Sequence, residues 1–325
     1  MMKKVIALLL IAVAFIATSC NDSSLTSIGY TFKVHLSGVI DGFPDTNKEA
    51  MYKVGGNNHI KVNLLIYDSS GMLVKEEETT TNTYKDVLDF PIEMPIDVSG
   101  YKAVVITTVV NTTNSAIEYW TLSNKHKLAN ATITRYNSPF SFYEILGVAY
   151  SEVKGSNDNV VTMSVRPGGA LCSLLYKNIH TYSDIEKITL TRNQDNSVVK
   201  FDANGEITPS GVKKGSFNWT SNELTIDDYP KAKGVNGYCF LLPAEDISFK
   251  WNIISRSTGE INSTTSMLLN KVEAGKEYVI AIDFNSNGRI AYDAFQHPNS
   301  RSNGNINTSD YSLDNSEKLV TLLGL

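Results

Sequence analysis

Arginine is scarce in this chain. Only six occur, and the first is Arg135. Basic side chains number 29 against 34 acidic ones, for a formal net charge of −5. A mildly acidic chain so poor in arginine has no electrostatic footprint for nucleic acid. The histidines His35, His59, His126, His180 and His297 are not spaced as a metal pair on a helix or strand. No Gly-x-Ser-x-Gly elbow, phosphate loop or dinucleotide fingerprint occurs. No catalytic residue, metal or cofactor is therefore predicted. The acidic pairs Asp227-Asp228 and Glu245-Asp246 are better explained as solvated surface than as a glycosidase pair. Beyond the first twenty residues no long apolar run occurs, so no transmembrane helix is expected there.

Cysteine is scarcer still: Cys20, Cys172 and Cys239. The last two lie 67 residues apart, each in an apolar, strand-like run. They could form one disulfide in an oxidising compartment, or remain two buried thiols, and the sequence leaves both open.

What is present begins at the N-terminus. Lys3 and Lys4 precede an unbroken apolar run, Val5 to Ala17. Thirteen residues are too few to span a bilayer, which takes about 20. A basic start, a short apolar core and small residues at its end predict a secretory signal peptide over 1–19. Ala17-Thr18-Ser19-Cys20 resembles a bacterial lipobox. That resemblance implies cleavage before Cys20 and acylation of its thiol, with palmitate among the chains. Several acyl chains anchor far more firmly than one. The expectation is a chain held to a membrane through lipid on Cys20, with residues 20–29 as a polar leash.

The rest of the chain reads as short strands. Tyr30, Phe32, Val34 and Leu36 alternate with Thr31, Lys33, His35 and Ser37, a period of two with one buried face. Ile60 to Ile66 alternates again. Asp68-Ser69-Ser70-Gly71 supplies turn chemistry, and Met72 to Lys75 returns as the second arm of a hairpin. Glu76 to Thr81 is charged and Thr-rich, a solvated edge or loop. Val87 to Pro95 alternates but contains Pro91 and Pro95, which mark an edge or a bulge. Tyr101 to Val110 is β-branched and almost wholly apolar, as in a central strand covered on both faces. Shorter candidates follow at 117–122 and 131–136, and Phe140 to Tyr150 closes the block.

Ser151 to Asn159 is polar and sets a domain boundary. A second series of strands runs from Val160 to Phe284. Within it, 205–234 reads as an excursion with little core, and residues past 285 as a flexible tail. Few segments show helical periodicity. Turn residues every 8–12 positions predict an all-β fold of β-sandwiches: one over 30–152, another over 158–285, and a polar tail over 286–325. The tail ends in an apolar segment, Leu319, Val320, Leu322, Leu323 and Leu325. The aromatics Trp120, Trp219 and Trp251 fit edge packing or a glycan surface, with Trp251 the better core candidate and Trp219 the better exposed one.

Several phrases together resemble the fimbrillin superfamily, the pilus subunits and anchors of Bacteroidetes. They are Ile60 to Lys75, Gly100 to Val105, Val165 to Ala170, Leu241-Leu242-Pro243 and Ala274 to Val279. The resemblance covers about residues 30–285, and each phrase is short. It implies a lipoprotein precursor with two transthyretin-like, Greek-key β-sandwich domains at the outer membrane, with other pilus subunits as partners. In that family a protease removes the first strand of stalk subunits, and a neighbour's strand fills the groove, which is β-strand addition. Here the exchanged strand would carry Tyr30, Phe32, Val34 and Leu36, and the apolar end 319–325 is a candidate donor. The absence of arginine before Arg135 departs from an Arg-directed cut and favours an unprocessed, membrane-retained anchor or accessory subunit that supports adhesion. The alternative is a lipid-anchored glycan-binding β-sandwich protein of a sugar-uptake system.

Overall fold

The computed structural model describes residues 27–41, 54, 56–111, 113, 117–135, 145–155, 158–177, 185–195, 198–202, 207–210, 213–225, 237–259, 261–284 and 290–296. They form strands with almost no helix. The first half supplies β1 (Ser27–His35), a helical turn α1 (Gly38–Asp41), β2 (Asn58–Tyr67), β3 (Leu73–Thr81), β4 (Val87–Pro95), β5 (Lys102–Asn111), β6 (Ile117–Glu118), β7 (Trp120–Ser123), β8 (Thr132–Arg135), β9 (Gly147–Glu152), β10 (Val160–Ser164) and β11 (Arg166–Pro167). The second supplies β12 (Ala170–Lys177), β13 (Ile185–Asp195), β14 (Val198–Phe201), β15 (Ile207–Pro209), β16 (Lys213–Thr225), β17 (Gly237–Leu241), β18 (Ala244–Ser255), β19 (Ile261–Val272), β20 (Glu277–Phe284) and β21 (Ile290–Gln296).

The hairpin forms as its turn chemistry dictates. Asp68 Oδ1 accepts from the backbone N–H of Ser70 and Met72 at 2.9 Å each, and from Ser70 Oγ at 2.6 Å. These bonds, that from the Ser70 side chain foremost, hold the Asp68 carboxyl below its usual pKa. β2 then lies between β3 and β5 in a sheet ordered β11-β9-β5-β2-β3, with β6 against β5. β5 is central, as its composition predicted. β3 is an edge strand, and Glu76, Glu77 and Glu78 keep that edge charged. Lys61 on β2 reaches Glu118 at 2.9 Å and Glu78 at 3.0 Å. Burial lowers its pKa, but the hydrogen bonds and charges of both carboxylates outweigh this and raise it.

A second sheet, β10-β1-β4, contributes to the same buried cluster. Phe32 and Val34 of β1, Phe90 and Ile92 of β4, and Val161 and Met163 of β10 join Val62, Leu64 and Val105 of the larger sheet. Leu64 to Tyr67 and Ala103 to Thr108 are buried at every position, so β2 and β5 have both faces covered. A third sheet, β15-β14-β8-β7, adds Trp120, Ile133, Val199 and Phe201 to the cluster. It draws strands from both halves, since β14 pairs with β8 through Val199↔Ile133. The remaining sheets are β17-β12-β20-β21 and β16-β13-β18-β19.

Several segments differ from expectation. Val160–Ser164, expected to begin the second sandwich, pairs with β1 instead. The stretch expected as an excursion contains β15 and the long β16, which pairs with β13. Its Phe217 and Trp219 alternate within a background of Ser, Asn and Lys, and a backbone ladder is indifferent to that polarity. Residues 290–296, expected in the flexible tail, form β21 against β20. There apolar residues fall at both odd and even positions, which hides the period of two. After β1 the chain enters the helical turn α1, whose Val39 and Ile40 are buried.

Gly147 is required by close approach. A Cβ there would stand 2.2 Å from Thr107 Oγ1 and 2.7 Å from Val39 Cγ2. Gly147→Ala is expected to lower stability by about 1–3 kcal/mol through overpacking, read from urea denaturation.

The hydroxyls of Tyr67 and Tyr84 are buried without a hydrogen-bond partner among the described residues. Burial raises both phenol pKa values above the usual 10.0, with Glu76 adding to the effect at Tyr67. The folded chain thus keeps both phenols neutral where the unfolded chain ionises them. Their contribution to stability is complete below pH 10 and is lost as pH rises above it. In the double variant Tyr67→Phe/Tyr84→Phe, stability at pH 8 should stay within about 1 kcal/mol of the parent or rise. Its decline above pH 10 should be shallower. Urea titrations across that range measure both effects.

Candidate functional site

The candidate site is the slot that β1 fills. β1 runs antiparallel to β4, with Phe32 opposite Phe90 and Val34 opposite Leu88. On its other side it runs parallel to β10, with Phe32 opposite Val161 and Val34 opposite Met163. The parallel ladder continues at both ends: Thr31 N–H donates to Asn159 O, and Val165 N–H to His35 O, each at 2.9 Å. Among the described residues, β4 and β10 meet only through β1 in this sheet.

The alternation seen in the sequence sets which side chains enter the core. Tyr30 is 3% exposed, and Phe32, Val34 and Leu36 are 0% exposed. Thr31, Lys33 and His35 on the other face are half-buried. Each fully buried large apolar side chain contributes about 1.5–3 kcal/mol, so the four supply about 6–12 kcal/mol. The whole net stability of a domain is about 5–15 kcal/mol. The slot therefore cannot stand empty: it holds β1 or a strand of like pattern.

β4 is the outer neighbour, and its Pro91 and Pro95 fit an edge strand. β10 is the other edge. Beside it opens a groove of about 410 Å³ lined by Tyr150, Ser151, Glu152, Lys154, Val160, Val161 and Thr162. Burial, then the charges of Glu152 and Asp202, raise the Tyr150 pKa. The groove lies between the end of β9 and the start of β10, close in sequence, where the polar run Ser151 to Asn159 reads only as a boundary.

Cys20 and the candidate donor residues Leu319, Val320, Leu322, Leu323 and Leu325 lie outside the described residues. Arg135 lies in β8. Its Nη1 donates to Phe240 O at 3.0 Å, and its guanidinium sits 5.8 Å from the centre of the Trp120 ring. Trp120 is 1% exposed and meets Phe240 edge-on at 6.4 Å, so it is core. By backbone register, Trp219 and Trp251 both lie opposite Leu190, in one cross-strand row. Trp251 is two positions from Phe249, which is fully buried. Glu245 and Asp246 are exposed on β18, whereas Asp227-Asp228 lies outside the described residues. Among the described residues no group of three His, Cys, Asp or Glu is placed to hold a metal ion. Among them, too, no helix is long and apolar enough to cross a membrane.

No family model matches the chain, and no curated protein matches it in sequence. Solved structures do match. A candidate cell adhesion protein from Bacteroides eggerthii superposes with a TM-score of 0.51 at 13% identity, covering 83% of this chain and 95% of its own. A candidate polysaccharide-binding protein from Bacteroides thetaiotaomicron superposes with a TM-score of 0.52 at 10% identity, covering 84% and 99%. The chain has their fold. At that level these neighbours agree with the fimbrillin resemblance.

Burial makes the two faces of β1 unequal. Phe32→Ala should cost about 3–5 kcal/mol. Lys33→Ala, one residue away on the other face, should cost less than about 1 kcal/mol. Equal losses in urea denaturation would contradict the placement of β1.

Proposed function

We propose that this chain is a non-enzymatic surface lipoprotein, held at the outer membrane by lipid on Cys20, which serves as an anchor or accessory subunit of a pilus-like assembly and supports adhesion. The observation that carries this proposal is the burial of β1 between β4 and β10. Retained, β1 completes the fold from Ser27 onward, and the residues between it and Cys20 link it to the lipidated end. The lack of arginine before Arg135 argues for retention. So does the position of Lys33, whose backbone is paired on both sides, with Asp89 and with Thr162. A protease needs an extended segment free to enter its cleft, and a strand inside two ladders is not free.

Retention has a consequence for assembly. A subunit whose slot is filled by its own strand cannot receive a neighbour's strand there. It can still give one, through the apolar segment 319–325, to the open slot of another subunit. The arithmetic of β-strand addition favours this order, because the receiving slot gains main-chain bonds and buried alternate side chains together. Such a chain belongs at one end of a filament. Within this proposal the chain divides into two sandwiches, the first closing with β10 and β11 and the second opening with β12. The name of the Bacteroides eggerthii neighbour, a candidate for cell adhesion, supports the general role.

A glycan-binding lipoprotein is the second reading. It is favoured by the open groove with Tyr150, Glu152 and Lys154 on its walls, and by the name of the Bacteroides thetaiotaomicron neighbour. The position of Trp120 in the core removes one of the aromatic residues such a surface would use.

Intact-mass analysis of the protein purified from the cell surface separates these cases. Expected is an acylated Cys20 with residues 21–325 complete. A start at residue 34, 49 or 54, after Lys33, Lys48 or Lys53, would make it a processed stalk subunit and overturn retention. An unacylated start elsewhere in the leader would overturn the lipid anchor. Calorimetric titration with surface polysaccharides should give no heat, and saturable binding lost in Tyr150→Ala would favour the second reading.

A further inference from the structure

We propose that Cys172 and Cys239 form an intrachain disulfide that fastens β17 to β12. The two strands run antiparallel, and their register sets these residues directly opposite each other, between the pairs Leu171↔Phe240 and Ser173↔Tyr238. Opposed residues in an antiparallel pair have Cα atoms about 4.5 or about 5.5 Å apart, depending on whether the pair is hydrogen-bonded. Disulfides span Cα separations of about 4.4–6.8 Å. Both spacings fall inside that range, so the register alone meets the distance requirement. The chain holds one other cysteine, Cys20, whose thiol is assigned to the lipid in the function proposed above.

The position gives the bond a task. Among the described residues β17 is an edge strand, bonded in its sheet to β12 alone. Directly after Cys239 come Phe240, Leu241 and Leu242, all buried. Phe240 packs on Trp120, and its carbonyl accepts from Arg135, both from the first half of the chain. A covalent link at Cys239 keeps this edge from peeling away and taking Phe240 with it.

The chemistry is thiol–disulfide exchange. The thiolate of one cysteine attacks an oxidant disulfide, forming a mixed disulfide and releasing one oxidant thiol, which takes a proton. The second cysteine thiolate then attacks the mixed disulfide at the protein sulfur and releases the other thiol, also protonated. Two electrons pass from the cysteine pair to the oxidant. In the cell the oxidant is a disulfide-exchange protein of an oxidising compartment, so the cellular state of the pair rests on the export proposed above.

The full-length chain, reduced and refolded, is incubated with oxidised glutathione, and its mass is read after acid quenching and alkylation. Expected is the loss of two hydrogens, with peptide mapping that links Cys172 to Cys239. Oxidation should raise Tm by about 5–15 °C, a gain absent in both Cys172→Ser and Cys239→Ser. Stable glutathione adducts on the two cysteines, or an unchanged Tm on oxidation, would overturn the proposal. Alkylation of intact cells after acid trapping tests the compartment separately. If the pair oxidises in vitro but is trapped as thiols in cells, the disulfide geometry stands and the export proposal fails.

Discussion

The structure depends on the insertion of one strand between two others. β1 joins β4, from its own neighbourhood in sequence, to β10, from far along the chain. Among the described residues these two strands share no ladder without it. The interaction is both polar and apolar. Two backbone ladders satisfy the N–H and C=O groups of β1, and Tyr30, Phe32, Val34 and Leu36 fill the core beneath. Neither part suffices alone: a ladder with polar side chains would leave the core open, and apolar side chains without a ladder would bury unpaired backbone groups.

A second constraint ties the two halves of the chain. The sheet β15-β14-β8-β7 takes two strands from each half, and Arg135, Trp120 and Phe240 meet beside it. Arg135 is used here as a planar donor over an aromatic face, a role that lysine fills poorly. The first arginine of the chain therefore serves as a structural contact between halves. Cleavage after it would have to open β8, which is paired on both sides with β7 and β14.

A strand this deeply integrated is either permanent or replaced in one step by a strand of equal pattern. Permanence suits a chain that stays tethered by its N-terminal end. Replacement suits a chain that becomes a link in a filament. Burial shows what either route must conserve, namely four alternate apolar side chains and two ladders.

Much of this was legible locally. The period of two in Tyr30 to Leu36 identified β1 and its buried face, because alternation is a property of adjacent residues. The β-branched run of β5 announced a strand covered on both faces, and Asp68 to Gly71 announced its hairpin by turn chemistry. β16 and β21 were obscured, since their side chains do not alternate cleanly while their ladders are made by backbone. What the sequence by itself determined was the all-β character, and β1 with its core-facing residues. Only the tertiary structure decided that β1 lies in the middle of its sheet, that β10 is its partner, and that Cys172 stands opposite Cys239. The reason is physical: strand pairing joins residues distant in sequence through identical backbone groups, so nothing in the local pattern names the partner.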